Sequence, residues 1–417
     1  MSAAGPGNAT RPEAFELLIK PAGAACNLDC AYCFYLGRQA LHPQTAEPRM
    51  TEATLELFTR QYLAAHAGAE VTFAWQGGEP TLLGLDFFRR AVALQQQHGG
   101  GRRIRNTLQT NGTLLTDEWC AFLAGHRFLV GLSVDGPADL HDAFRVDRGG
   151  RPTHHAVLRG LALLKHHGVE FNTLTAVHRR NAGEPERVRQ FLKDCGATYW
   201  QFIPVVERWP AAGPAAPHQL AMPPGSADPA TPGTVTPWSV EPEAYGGFLT
   251  ALFDRWVRED VGRIFVQLFD VALGSWLRAD SSLCIFSENC GRGPVLEHHG
   301  DLFACDHYVH EPYRLGSLAS QPLAGLASLP FLRQFGRHKS ESLPDYCRRC
   351  DVRFACHGEC PKNRFATTPD GQPGLNYLCP AYRRFFHHAD PCLRMMAQLV
   401  LRGQPAARIM TLLQESP

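Results

Sequence analysis

Apolar and polar positions in the first half of the chain fall into two alternating rhythms. Short apolar runs suited to buried strands occur at 14–20, 71–75, 104–109, 128–133, 170–177 and 198–203. Between them the spacing changes to the three-and-four beat of a helix with one buried face. Thr51 can cap the first such helix with Met50 as its staple, and Leu55, Phe58 and Tyr62 share its apolar side. Further helices are predicted over 86–97, after a cap at Thr116, over 155–167 and over 186–194. Six strands alternating with helices predict an α/β fold with a parallel sheet and helices outside. Crossovers of one hand would curl the six units into an open, partial (β/α)6 barrel over 14–204. Chemistry in such barrels sits on the loops that follow the strands. Four polar or glycine-containing loops do follow predicted strands here. They are the run from Cys26 to Cys33, Gln76-Gly77-Gly78-Glu79-Pro80, Thr110-Asn111-Gly112 and Val134-Asp135-Gly136. All four should meet on one face.

The pattern then breaks. Residues 205–242 are rich in Pro, Ala and Gly and bury too little apolar surface to fold alone, so they read as a linker, with a lid as the other possibility. A helix over 243–261, with Tyr245, Leu249, Leu252, Phe253 and Trp256 as apolar positions, opens a helical connection that extends to 283. A cysteine-rich unit spans 284–385, a C-terminal helix 386–417, and a flexible tail 1–13.

Net charge is +1, which gives no reason to expect nucleic acid or an anionic membrane as a partner. No apolar run is long enough to span a bilayer, and the first residues lack the regions of a signal peptide. The chain therefore reads as cytosolic. Fourteen cysteines in a reducing compartment imply metal binding or redox chemistry. Three lie at 26–33 and eight between 284 and 379; Cys120, Cys195 and Cys392 stand apart and read as plain buried thiols.

Cys26, Cys30 and Cys33, spaced by three and then two residues, can offer three thiolates to one face of a [4Fe–4S] cluster. Three ligands for four irons leave one iron open to an outside ligand. A structural zinc site would want a fourth local ligand, which this loop lacks. The spacing, with Tyr32 just before the third cysteine, resembles the radical S-adenosylmethionine (SAM) superfamily, in which the methionine part of SAM chelates the open iron. In the second half, Cys284, Cys290, Cys305, Cys347, Cys350, Cys356, Cys360 and Cys379 would, taken alone, suit zinc ribbons equally well. Beside the trio, that half resembles the SPASM extension, and its spacing most closely resembles anaerobic sulfatase-maturating enzymes. The resemblance implies two auxiliary [4Fe–4S] clusters, making three in all. One would be held by Cys284, Cys290, Cys305 and Cys360, and the other by Cys347, Cys350, Cys356 and Cys379.

The same resemblance implies the chemistry. An electron from a donor such as flavodoxin or ferredoxin would enter the first cluster and cleave SAM to a 5′-deoxyadenosyl radical. That radical would take a hydrogen from the β-carbon of a cysteine or serine in a sulfatase C/S-x-P-x-R motif, leading to Cα-formylglycine. Asp306 matches the proton acceptor, and the auxiliary clusters would accept the second electron. Gly77, Gly78 and Glu79 match the strand end that holds the methionine amino group, the glycines allowing close backbone approach. Ser133 and Arg145 match positions for its carboxylate, Tyr32 and Ile203 contact the rest of SAM, and Gln76 touches the peptide.

Blander roles stand beside these. Ser133 and Asp135 could shape a turn, Asn111-Gly112 is an ordinary turn dipeptide, and Arg145 suits a surface ion pair. Arg348, Arg349 and Arg353 either ease cluster reduction or form a solvated basic patch. The nineteen histidines show no metal-ligand spacing, and His307, beside Asp306, reads as a surface residue, with tuning of that carboxylate as its other role. Two rival functions are a SPASM enzyme that matures ribosomally made peptides by thioether formation, epimerisation or crosslinking, and a non-enzymatic metal-cluster regulator. Asp306 directly after a cluster cysteine favours the sulfatase maturase. So does the short stretch before the first strand, too brief for a leader-peptide recognition domain.

Overall fold

A computed structural model of the chain describes residues 15–41, 48–216, 218–224 and 235–415; the expected tail at 1–13 lies outside them. Six parallel strands form the barrel sheet: β1 (Leu17–Lys20), β2 (Glu70–Trp75), β3 (Arg103–Thr110), β4 (Leu129–Ser133), β5 (Phe171–Val177) and β6 (Tyr199–Pro204). They lie side by side in chain order, as βα units of one hand require. The intervening helices, Glu52–Ala65, Leu85–His98, Asp117–Gly125, His154–His166 and Pro185–Asp194, match the predicted positions to within a residue or two. Thr51 Oγ1 accepts from Thr54 N–H at 3.1 Å, and Leu55, Phe58 and Tyr62 are buried beneath that cap. Thr116 caps the third helix in the same way through Trp119 N–H.

The sheet is wider than the pattern predicts. A two-residue strand, β7 (Phe265–Val266), adds to β6 from within the helical connection. At the other edge, β8 (Val295–Glu297) pairs parallel to β1, with Lys20 opposite Glu297. Two more strands, β9 (Asp301–Phe303) and β10 (Arg314–Ser317), continue antiparallel, giving ten strands in one sheet. The cysteine-rich half is thus joined to the barrel by backbone hydrogen bonds along β1. Its strands escape sequence pattern reading because runs of three or four residues are too short to show a period.

The C-terminal helix starts earlier and ends sooner than expected. It runs from Cys379 to Leu401, and after a break the chain ends in a separate helix, Ile409–Glu415. Cys379 therefore sits in the first turn of the long helix. The 205–242 segment is also more structured than a linker. Its ends are tied to the barrel and to each other by Val205 N–H to Val177 O, Val240 N–H to Val205 O and Thr236 N–H to Glu207 O. Trp209 and Trp238 pack edge to face at 5.0 Å, so the two ends form a docked flap; residues 217 and 225–234 lie outside the described set. No helix among the described residues is long and apolar enough to cross a membrane.

Candidate active site

The cysteine loop follows β1 and is held from three sides. Asp29 N–H and Ala31 N–H donate to Val146 O and Phe144 O, and Arg148 Nε donates to Cys26 O at 2.7 Å. Asn111 Nδ2 donates to Asn27 Oδ1 at 2.9 Å and approaches Cys26 Sγ at 3.8 Å. Asn111-Gly112 is therefore more than a turn: its side chain orients the first cysteine. Burial pushes the Cys26 and Cys30 thiols up to about 12 and raises Cys33; charge on Cys33 would raise Cys26 and Cys30 further, and charge on Cys26 would raise Cys30. Such a trio stays protonated unless a cation offsets both penalties, which is the condition a metal cluster meets.

Gly77 and Gly78 do allow close approach, but by the chain itself. A Cβ at Gly78 would lie 1.8 Å from Ala25 O, and one at Gly77 would lie 2.9 Å from Gly23 O. Gly78 N–H donates to Gly23 O and Glu79 N–H to Ala25 O. The glycines thus clamp the β2 end onto the cysteine loop. The Glu79 carboxylate is also spoken for. Only 1% exposed, it accepts from Thr81 N, Thr81 Oγ1, Thr110 Oγ1 and Asn111 N at 2.6–3.1 Å, tying the ends of β2 and β3 together.

Asp135 is a buried hub rather than a turn residue. It accepts from Tyr32 Oη and from Ala176 N–H, with Arg145 NH1 at 4.0 Å and His178 Nε2 at 3.9 Å. Arg145 also donates to Tyr32 Oη at 2.9 Å, and its Nε is buried with no acceptor. The arginine therefore lies inside, with donor capacity left for an anionic group. Ser133 Oγ, at the end of β4, accepts from Gln109 Nε2 at 3.0 Å. Ile203, at the end of β6, leaves a large apolar side chain 49% exposed.

Asp306 comes to the same region because β8 and β9 extend the barrel sheet. Lys20, the last residue of β1, lies 3.7 Å from Asp306 Oδ2 and 3.5 Å from Gln76 Oε1, over the Tyr35 ring at 4.4 Å. Lys20 itself went unnoticed in the sequence, where its only signal is a cation closing an apolar strand. Tyr35 Oη donates to Glu297, the residue opposite Lys20. Burial works against charge on Asp306, but His307, Lys20 and the Cys305 thiol outweigh it and hold the carboxyl below its ordinary range. His307 is not a surface residue: its ring lies 4.7 Å from Phe34, and burial lowers its pKa to about 4. A cavity of about 390 Å³ opens here, lined by Phe34, Arg38, His307 and Lys362, with Glu207 and Leu220 from the docked flap.

The eight later cysteines separate into two electrostatic neighbourhoods. Charge on Cys284 or Cys360 is felt at Cys305, and charge on Cys284 or Cys290 at Cys360. Cys347 and Cys379 act on Cys356, while Cys347 and Cys350 act on Cys379. Each neighbourhood draws its cysteines from one of the two sets that the family resemblance implies. Arg348, Arg349 and Arg353 are exposed, with Arg349 facing Asp370, so they form the solvated patch. Cys120 and Cys195 are buried thiols as expected, and Cys392 is half-buried.

Among the described residues, only Asp117, His166 and His167, at the surface, gather three ligand atoms within 4.8 Å of one another. The cysteines of the three groups are free thiols, and burial disfavours their charged form unless a metal offsets it, a donor chemistry that suits iron–sulfur clusters. The donor sets therefore fit iron–sulfur clusters.

Comparison with known proteins agrees. The radical SAM superfamily matches residues 21–192, and an iron-sulfur cluster-binding domain, SPASM, matches 290–351. A serine-type anaerobic sulfatase-maturating enzyme of Bacteroides thetaiotaomicron is 41% identical over 399 residues, 96% of this chain and 95% of the relative. A cysteine-type enzyme of Clostridium perfringens is 33% identical over 381 residues, 91% of this chain and 97% of the relative. The solved structure of native anSMEcpe with bound AdoMet and Cp18Cys peptide aligns with a TM-score of 0.79 at 32% identity. That alignment covers 92% of this chain and 99% of the other.

Proposed function

Because the chain belongs to the anaerobic sulfatase-maturating enzymes of the radical SAM superfamily, we propose that it oxidises a cysteine or serine in a sulfatase C/S-x-P-x-R motif to Cα-formylglycine. When bound, the first cluster and SAM would supply the abstraction of one hydrogen atom from the target β-carbon, and two auxiliary clusters would supply acceptors for the second electron. Cys26, Cys30 and Cys33 hold the first cluster. The auxiliary ligands are Cys284, Cys290, Cys305 and Cys360 in one set, and Cys347, Cys350, Cys356 and Cys379 in the other. Arg145 and Ser133 hold the methionine carboxylate, while the backbone at Gly77 and Gly78 meets the amino group. Tyr32 and Ile203 border the remainder. Glu79 acts indirectly, by fixing the two strand ends.

Asp306 accepts the proton that must leave with the second electron. A serine then becomes the aldehyde directly; a cysteine becomes a thioaldehyde, which water converts to the aldehyde with loss of hydrogen sulfide. The observation that carries this reading is the Lys20 bridge, 3.7 Å from Asp306 and 3.5 Å from Gln76. It sets an ionised carboxylate beside the residue assigned to the peptide, at the end of β1 from which the cysteine loop springs. A flavodoxin or ferredoxin serves as donor, in the reducing cytosol.

The test is anaerobic. Reconstituted protein is given SAM, reductant and peptides with C-x-P-x-R or S-x-P-x-R, and mass spectrometry follows the aldehyde. Wild type forms aldehyde from at least one peptide, while Asp306→Asn still forms 5′-deoxyadenosine but stalls before aldehyde. Turnover of SAM with neither peptide changed would overturn the substrate assignment.

A further inference from the structure

Two cations are buried among the later cysteines, and neither has a carboxylate at ion-pair distance among the described residues. Arg364 is 6% exposed. Its Nε donates to Gly358 O at 2.9 Å and its NH2 to His357 O and Glu359 O at 3.1 Å. Those three acceptors are the whole of the chain between Cys356, in one cysteine group, and Cys360, in the other. NH1 completes the set with Lys339 O at 2.6 Å and Ser342 Oγ at 3.3 Å. The guanidinium therefore sits at the join of the two groups. Lys339 is fully buried, and its Nζ donates to Cys284 O at 2.6 Å, Ile285 O at 2.8 Å and Ser287 O. It belongs to the loop of one group alone.

Carbonyls satisfy the donors but bring no net charge, and a buried cation without a counter-ion is costly. Two carboxylates are close by: Asp306, beside Cys305 and already matched by Lys20, and Glu359, held by Asn363 and Asn376. Arg364 and Lys339 against Glu359 leave positive charge in excess. A [4Fe–4S] cluster with four thiolates is a net anion in both its oxidised and reduced states, and each added electron makes it more so.

We propose that Arg364 is a positioning residue for electron transfer: a buried cation shared by both auxiliary cluster sites that raises the reduction potential of both, with Lys339 acting on the Cys284 site alone. The inference rests on the reading of those cysteines as cluster ligands. The electron released when the substrate is oxidised would be accepted more readily at sites held positive in this way.

The test uses reconstituted holoenzyme, with iron and sulfide analysis and redox titration followed by electron paramagnetic resonance. Arg364→Gln should lower the potential of both auxiliary clusters enough to change the oxidised-to-reduced ratio at a fixed potential tenfold or more, 59 mV for one electron. Arg364→Lys should restore most of that shift, and Lys339→Met should move one cluster only. Unmoved potentials in a cluster-replete Arg364→Gln, or a shift of one cluster alone, would overturn the shared role. If Arg364→Gln fails to hold clusters, Lys339→Met decides: an unmoved potential there overturns the proposal. Wild-type iron sufficient for only one cluster would overturn the functional reading with it. Full iron and unmoved potentials would sink this inference alone.

Discussion

Gly78→Ala separates two explanations for a glycine beside a cofactor site. The added Cβ would lie 1.8 Å from Ala25 O, whereas real Cβ contacts stay beyond 3.0 Å. The β2 end and the cysteine loop must therefore part by about 1 Å. Two hydrogen bonds span that gap, Gly78 N–H to Gly23 O at 2.8 Å and Glu79 N–H to Ala25 O at 2.7 Å. Stretched by about 1 Å, both pass the limit of a useful hydrogen bond. Leaving buried backbone groups unsatisfied costs about 1–3 kcal/mol each, so a loss of about 2–6 kcal/mol is expected. Cys26 is the next residue after Ala25, and a misplacement of about 1 Å at a reacting group can cost about 100-fold in rate. Anaerobic calorimetry, iron analysis and 5′-deoxyadenosine formation should all fall together. Gly68→Ala, whose Cβ would find nothing nearer than 3.6 Å, is the control and should change nothing. A Gly78→Ala protein with wild-type stability and full iron but weakened SAM binding would refute the argument, since the missing side chain would then make room for the ligand and not for the cysteine loop, whatever the backbone there contacts.

Other substitutions probe the supports. Glu79→Gln turns an amide NH2 toward N–H or O–H donors and should cost about 1–3 kcal/mol in thermal or denaturant unfolding; an unchanged midpoint would refute the clasp. Asp135→Asn leaves the buried Arg145 charge uncompensated and should cost about 3–5 kcal/mol. In a double-mutant cycle, adding Arg145→Gln should recover part of that loss, and strict additivity would argue against coupling. Asp270, on the Gln267–Trp276 helix, has its carboxyl raised by burial from 3.8 to about 7. It is neutral in the fold and costs nothing below the unfolded value, but stability drains away as pH rises between those two values. Asp270→Asn should therefore stabilise the protein increasingly from about pH 4 to pH 7, by up to about 4 kcal/mol, and level off above. A gain independent of pH would contradict the shift.

The barrel was legible because its strands and helices are long enough to carry a period and its caps are conventional ones. The cysteine groups were legible because thiolate chemistry restricts what so many cysteines can do, although their division into sets needed a family resemblance. What stayed hidden depends on distant pairing. Lys20, Asp306 and Gln76 meet only because β8 pairs with β1, and nothing local announces a three-residue strand. Asp135 reads as a turn residue until Tyr32, Arg145 and His178 converge on it from three other segments. Arg364 and Lys339 look like any surface cations in sequence, whereas the exposed Arg348, Arg349 and Arg353 look like a cluster-tuning patch because they adjoin Cys347 and Cys350.

The pairing of Leu18 with Val295 also bears on how the chain is made. On a ribosome adding about 5–20 residues per second, β1 emerges at the start, and the strand that covers its far edge follows tens of seconds later. Through that interval a strand carrying the buried Leu17 and Ile19 has one open edge, a template for pairing with another chain. Contacts so remote in sequence slow folding as well. Heterologous production should therefore be limited less by iron supply than by aggregation of half-made chains. Slower growth, lower temperature or added chaperones should raise the soluble yield, whereas a fragment ending before residue 295 should stay insoluble however much iron is provided.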